Sequence, residues 1–111
     1  MYIFEYQYKV RSQADVDEGT RLFKELAVPV FRKVPGLISV DIYKYSGVGD
    51  NPPEWDYVYV EVWESKEAHD NANKDTGFRD SELARTGYYD KIWPMIEKSA
   101  MAYATPFVSS K

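Results

Sequence analysis

Four stretches of the chain alternate with a period of two, and two of the three stretches between them repeat at helical spacing. Residues 2–10 set Tyr2, Phe4, Tyr6, Tyr8 and Val10 on one side and Ile3, Glu5, Gln7 and Lys9 on the other, which predicts a first strand. Residues 55–63 alternate without a slip. Trp55, Tyr57, Tyr59, Glu61 and Trp63 share one face, and Asp56, Val58, Val60 and Val62 share the other. Large apolar groups on both faces predict a central strand covered on both sides. A strand over 37–45 places Ile38, Val40 and Ile42 opposite Leu37, Ser39, Asp41, Tyr43 and Tyr45. The last alternation, over 100–108, sets Met101, Tyr103, Thr105 and Phe107 against Ala102, Ala104 and Pro106.

Between the first two strands, Leu22, Phe23, Leu26, Ala27, Val30 and Val34 form an apolar stripe of helical period. Ser12 or Asp15 is suited to cap that helix, and Pro29, inside the stripe, removes a backbone donor and predicts a kink. Pro35-Gly36 ends it. Glycines, prolines, Asp50 and Asn51 over 47–53 predict a long hairpin connection. Ser65 is placed to cap a second helix, running to about residue 74, interrupted at Asp75-Thr76-Gly77 and resuming at Phe78. Gly87 marks another break, and Tyr89, Ile92, Trp93 and Ile96 form a final helical stripe that contains Pro94. The tail 109–111 is expected to fray.

The resulting order, βαββαβ, predicts an α+β, ferredoxin-like domain over residues 1–111, with a four-stranded antiparallel sheet and both helical segments on one face. The other face would then carry Val58, Val60 and Val62 beside Ile38, Val40 and Ile42, a patch too apolar to leave in water. A second copy is the simplest cover, so the expected assembly is a homodimer joined sheet to sheet.

Composition narrows the partners. A net charge of -4 supplies no basic footprint for nucleic acid or an anionic membrane surface. No apolar run is long enough to span a bilayer, and the N-terminus has no basic-then-apolar signal, so a cytoplasmic location is the default. Without cysteine, and with one histidine, neither a disulfide framework nor an all-protein zinc site is expected. Aromatic residues make up 16% of the chain and crowd the strands; tyrosine, with an apolar body and a polar tip, suits a cavity or an interface.

Three features, Val34-Pro35-Gly36 ahead of a strand, the run Val62-Trp63-Glu64-Ser65-Lys66-Glu67-Ala68, and Phe78 downstream, resemble the antibiotic biosynthesis monooxygenase domain family of the dimeric α+β barrel superfamily. The resemblance implies a ligand site under the helices, between them and the sheet. It also brings in oxygenases that need neither metal nor flavin and act on polycyclic phenols or similar electron-rich rings. Haem-degrading relatives have a histidine ligand that falls here on Glu82 and a haem-distorting tryptophan that falls on Ala72, so that branch is not expected.

Cofactor-free oxygenation requires a surface for the ring, a base to remove a proton, and donors to hold the anion in a dry pocket. On that reading His69 and Glu61 are the candidate catalytic residues. His69 is the one side chain with an ordinary pKa near neutrality, and Glu61 lies between Tyr59 and Trp63 on a single face. Trp63, Tyr59, Tyr6 and Tyr8 are the candidate substrate-binding residues, with Asn73 and Asn71 weaker ones; no metal and no cofactor is expected. Plainer readings stand beside these: Trp63 as core, His69 as an exposed helix residue, and Glu61 paired with a residue such as Lys9 or Arg32 or reaching across a dimer edge. The function that follows is a cofactor-independent monooxygenase, or a related isomerase, acting on a small aromatic or polyketide-like molecule. The alternative is a dimeric module that binds such a ligand without converting it.

Overall fold

The computed structural model describes residues 1–74, 78–108 and 110. Among these, β1 (Tyr2–Val10), β2 (Leu37–Lys44), β3 (Tyr57–Trp63) and β4 (Ile96–Ala104) form an antiparallel sheet in the order β2-β3-β1-β4. Helical segments α1 (Gln13–Leu22), α2 (Val28–Phe31), α3 (Lys66–Ala72), α4 (Phe78–Thr86) and α5 (Tyr88–Ile92) fill the connections. This is the ferredoxin-like α+β architecture that the order of elements predicts.

Pro29 acts just upstream of itself. Phe23–Ala27 is a π-helical turn, in which the Val28 N–H donates to the Phe23 carbonyl five residues back. The widened turn gives the proline ring room against the carbonyl of residue i−4, which it would otherwise strike. Ser65 caps α3 as expected, its Oγ accepting the Ala68 N–H at 3.0 Å. Ser12 occupies the corresponding position of α1, but its side chain makes no capping bond. Gly87, at φ +75°, breaks the chain between α4 and α5. The break expected at 75–77 lies outside the described residues.

Two expectations are corrected. The last strand spans Ile96–Ala104, not 100–108: Trp93–Met95 is a 3-10 turn containing Pro94, and Ile96 passes directly into the strand. The Arg11 N–H on the Met95 carbonyl, at 3.0 Å, fixes that entry. The second correction concerns β2. Its pairs are Val40 with Glu61 and Ile42 with Tyr59, so Val40 and Ile42 face the helices, while Ser39, Asp41 and Tyr43 lie beside Val62, Val60 and Val58. Ile38 sits at an irregularity between Leu37 and Ser39, where two residues of separation span one step of the partner strand, and it is 57% exposed. The outer face is therefore a valine row flanked by Ile3, Ala100, Ala102 and Ala104, interrupted by Glu5, Gln7, Lys9 and Asp41.

The inner face carries two apolar clusters. Leu22, Ala27, Val30, Phe31, Leu83 and Tyr88 pack on Val40 and Tyr59, which seats α1, α2, α4 and α5 on the sheet. At the other end, Tyr2, Val34 and Trp63 close against Ala68 and Ala72 of α3.

Candidate functional site

Alternation on β1 and β3 directs Phe4, Tyr6 and Tyr8 to the same side as Tyr57, Tyr59 and Glu61, since these residues pair directly across the sheet. Over them, α1, the π turn and α5 do not settle into full contact. They leave a cavity of about 800 Å³ whose far wall is built from Val16, Phe23, Tyr88, Tyr89 and Trp93. The exposed residues Thr20, Lys24 and Lys44 border its open side. The volume lies within the usual range for small-molecule sites, and the wall has their usual character, aromatic with a few convergent polar groups.

The aromatic wall is ordered. Tyr8 stacks on Tyr57 with ring centroids 5.6 Å apart, and Tyr89 stacks on Trp93 at 6.0 Å. Tyr6 meets the edge of Trp93 at 5.9 Å. Burial pushes the Tyr8 phenol up to about 12, with Tyr57 and Tyr6 adding to the shift. Burial also raises Tyr88, Tyr6 and Tyr57, a hydrogen bond with Ser99 partly offsetting the effect at Tyr6. These tyrosines are neutral phenols at physiological pH, so they offer hydrogen bonds to a ligand and do not act as bases.

Glu61 is the buried charged residue among those described, at 2% exposure, and it lies in the cavity wall. One carboxyl oxygen accepts the Tyr59 hydroxyl at 2.5 Å and the other accepts the Trp63 indole N–H at 3.0 Å. All three side chains stand on the same face of one strand, two residues apart, so the backbone itself sets this row. The two contacts hold the carboxyl group between its neighbours on the strand.

Tyr6, Tyr8, Tyr59 and Glu61 thus meet at one cavity. Trp63, His69 and Asn73 do not line it. Trp63 is fully buried behind Glu61, sealed by α3. The His69 ring lies 5.3 Å from each of Tyr2, Trp63 and Tyr103, and its Nδ1 is 3.0 Å from Asp70 Oδ1. It belongs to an aromatic group at the Tyr2 end of the sheet, because the Ser65 cap starts α3 there and not over the cavity. Asn73 ends α3, its amide bonded to the His69 carbonyl. Reasoning from sequence missed Tyr57, although it is in phase with Tyr59, and the helical wall formed by Phe23, Tyr88, Tyr89 and Trp93. Three of those four lie in helical stripes that read equally well as core.

Among the described residues no group of three His, Cys, Asp or Glu side chains is placed to hold a metal ion, and no helix is long and apolar enough to cross a membrane. At the two positions a haem-degrading relative would use, Glu82 is ion-paired with Arg85 at 2.7 Å and Ala72 is packed against the Tyr2–Trp63 cluster.

The model of the antibiotic biosynthesis monooxygenase family matches residues 1–82. The chain belongs to that family. As an antibiotic biosynthesis monooxygenase family member it takes Tyr6, Tyr8, Tyr59 and Glu61 from the matched segment, whereas Tyr88, Tyr89 and Trp93 of the far wall lie beyond it. Among solved structures, HapK from Hahella chejuensis is similar with a TM-score of 0.70 at 15% identity, over 100% of this chain and 97% of that one. A protein from Nitrosomonas europaea, provisionally described as an antibiotic biosynthesis monooxygenase, gives 0.66 at 13% identity over 97% and 100%. A dimeric ferredoxin-like protein of unknown function from Thermobifida fusca gives 0.66 at 12% over 95% and 90%. At these identities the likeness is one of fold. No curated protein matches the chain.

Proposed function

We propose that the protein binds a small aromatic or polyketide-like molecule in the cavity and oxygenates it with dioxygen, without a bound cofactor. The observation that carries this reading is a buried carboxylate, Glu61, set in the wall of an aromatic cavity and bonded to Tyr59, which lies in the same wall. Glu61 is the proton acceptor for an acidic ring position or hydroxyl. The resulting enolate or phenolate passes an electron to dioxygen, a step closed to the neutral closed-shell molecule. For an anthrone-like substrate the balance is simple: a ring CH2 becomes a C=O, with one oxygen atom from dioxygen retained and the other leaving as water. The neutral phenols of Tyr6 and Tyr8 donate hydrogen bonds to the anion. His69 and Trp63 act from outside the cavity, Trp63 by holding Glu61 through its indole N–H.

Membership of the family and the solved structures described as dimeric support a homodimer as the working unit, with the valine row of the outer face as the contact. The second reading, a non-catalytic binding module, is favoured by one feature: both Glu61 oxygens already accept hydrogen bonds. Oxygen-electrode measurements with a panel of anthrones and hydroquinones separate the two. Uptake above the buffer rate that disappears in Glu61→Ala supports the oxygenase; tight binding with no uptake leaves the binding module.

A further inference from the structure

The cavity wall contains a row of rings that give up one electron readily. Tyr6 and Tyr8 stand two residues apart on the cavity side of β1, and Tyr57 of β3 is the direct partner of Tyr8 across the sheet. After α5 a 3-10 turn containing Pro94 sets Trp93 against Tyr6, edge to face. Centroid distances along Tyr57–Tyr8–Tyr6–Trp93 are 5.6, 5.8 and 5.9 Å, so each ring touches the next. Tyr57 and Tyr8 are half-buried at the inner end, whereas Trp93 is 49% exposed at the outer end. Packing alone is served as well by phenylalanine, which the same wall uses at Phe4, Phe23 and Phe31. The chain has no cysteine, so tyrosine and tryptophan are its principal one-electron donors.

We propose that Tyr57, Tyr8, Tyr6 and Trp93 form a relay that carries an oxidising equivalent from the cavity to the surface. The need for it rests on the oxygenation proposed above; the relay itself rests on the spacing of the rings. Electron transfer from a substrate anion to dioxygen leaves a substrate radical in the cavity, and one that meets a second dioxygen becomes a peroxyl radical. The peroxyl radical takes one electron and one proton from Tyr8 and becomes a hydroperoxide, leaving a phenoxyl radical on Tyr8. Tyr6 returns an electron and a proton to Tyr8, and Trp93 does the same for Tyr6.

At Trp93 the exposed ring is within reach of a small thiol in solution. The thiol supplies one electron and one proton, leaves as a thiyl radical, and restores the indole. Every side chain of the row then stands as it began, and the damage that the peroxyl radical would have done to the cavity wall is transferred to a reductant outside it.

Pulse radiolysis in the presence of azide tests the relay with no ligand bound, because contact between rings serves transfer in both directions. The azide radical oxidises accessible indoles to indolyl radicals. In wild type the indolyl absorption is expected to give way to phenoxyl absorption at a rate independent of protein concentration. The same conversion is expected in Trp55→Phe/Tyr89→Phe, which leaves Trp93 as the accessible indole, Trp63 being fully buried, and removes the phenol stacked on it. Adding Tyr6→Phe is expected to abolish the conversion or slow it severalfold. Circular dichroism spectra matching wild type establish that the variants are folded; the wild-type measurement needs no variant. No conversion in wild type or in Trp55→Phe/Tyr89→Phe, or conversion unchanged by Tyr6→Phe, overturns the relay and leaves the oxygenase to its own oxygen-electrode test. Conversion in a protein that takes up no oxygen with any substrate keeps the relay and removes the oxygenase.

Discussion

Gly36 lies directly against Ala68: a Cβ added to Gly36 would fall 2.5 Å from the Ala68 Cβ. The glycine also has φ +80°, so backbone conformation and close approach exclude a side chain independently. Its carbonyl accepts the Glu64 N–H at 2.8 Å, which ties the end of α2 to the start of α3. Val34-Pro35-Gly36 and the Trp63–Ala68 run are thus two sides of one contact, and that contact seals Trp63. Gly36→Ala is expected to cost about 3 kcal/mol, combining left-handed strain with overpacking. The double variant Gly36→Ala/Ala68→Gly should recover the steric part and keep the conformational part. Urea unfolding of wild type, Gly36→Ala, Ala68→Gly and the double variant checks it, and additive costs would show that the two residues do not meet.

Removing the acceptor of the buried row has a separate cost. Glu61→Leu fills a similar volume but takes away the partner of the Trp63 N–H and of the Tyr59 hydroxyl. Losing this acceptor is expected to destabilise by about 2 kcal/mol, with Glu61→Gln, which retains both contacts, near wild type. Thermal unfolding distinguishes them: equal melting temperatures for the two variants would mean the hydrogen bonds contribute no stability.

The cavity tyrosines make the protein sensitive to alkali. The Tyr8 phenol is raised from 10.0 to about 12, chiefly by burial, so between those values the unfolded chain has released a proton that the folded chain still holds. The stabilising contribution is complete below about pH 10 and is lost as pH climbs through about 12, because the unfolded state binds fewer protons throughout that window. Discounted for partial exposure, Tyr8 alone accounts for stability on the order of 2 kcal/mol. Tyr88, Tyr6 and Tyr57 shift the same way. Urea midpoints should fall steeply above pH 10 and less steeply in Tyr8→Phe; parallel curves for the two would contradict the assignment.

The fold was legible in the sequence to the extent that alternation and breakers spell it out. Tyr59, Glu61 and Trp63 are in phase, so their common face could be read directly. Which of them reaches the cavity could not, because it depends on where a helix seals the sheet, and the Gly36–Ala68 contact that seals Trp63 is a relationship between distant residues. Strand parity in β2 was legible too, but not which parity faced outward: the irregularity at Ile38 puts Leu37 and Val40, three residues apart, on the same side. Ile96 fits a helical stripe by spacing, yet Pro94 ends the helix within a 3-10 turn and Ile96 opens β4. For His69, spacing placed it on the helix after Trp63, while its partners Tyr2 and Tyr103 come from the two ends of the chain.

The outer face carries the last prediction. Val62, Val60 and Val58 run down β3 with Ile3 beside Val62, and Ala104, Ala102 and Ala100 line β4 next to β1. Small side chains on β4 and branched ones on β3 leave a shallow apolar surface suited to close approach of a second sheet, with Glu5 and Asp41 flanking Val60. Val60 is at the centre of that surface and faces away from the cavity, so a charge there should break the assembly and leave the cavity intact. Sedimentation velocity at micromolar concentration is expected to give a dimer for wild type and a monomer for Val60→Asp, which removes an apolar contact and adds a third carboxylate beside the two already present. Naphthol binding to the monomeric variant should remain within about threefold of wild type, well under the tenfold that one hydrogen bond supplies. A wild-type monomer would overturn the dimer, and a Val60→Asp dimer would place the contact elsewhere.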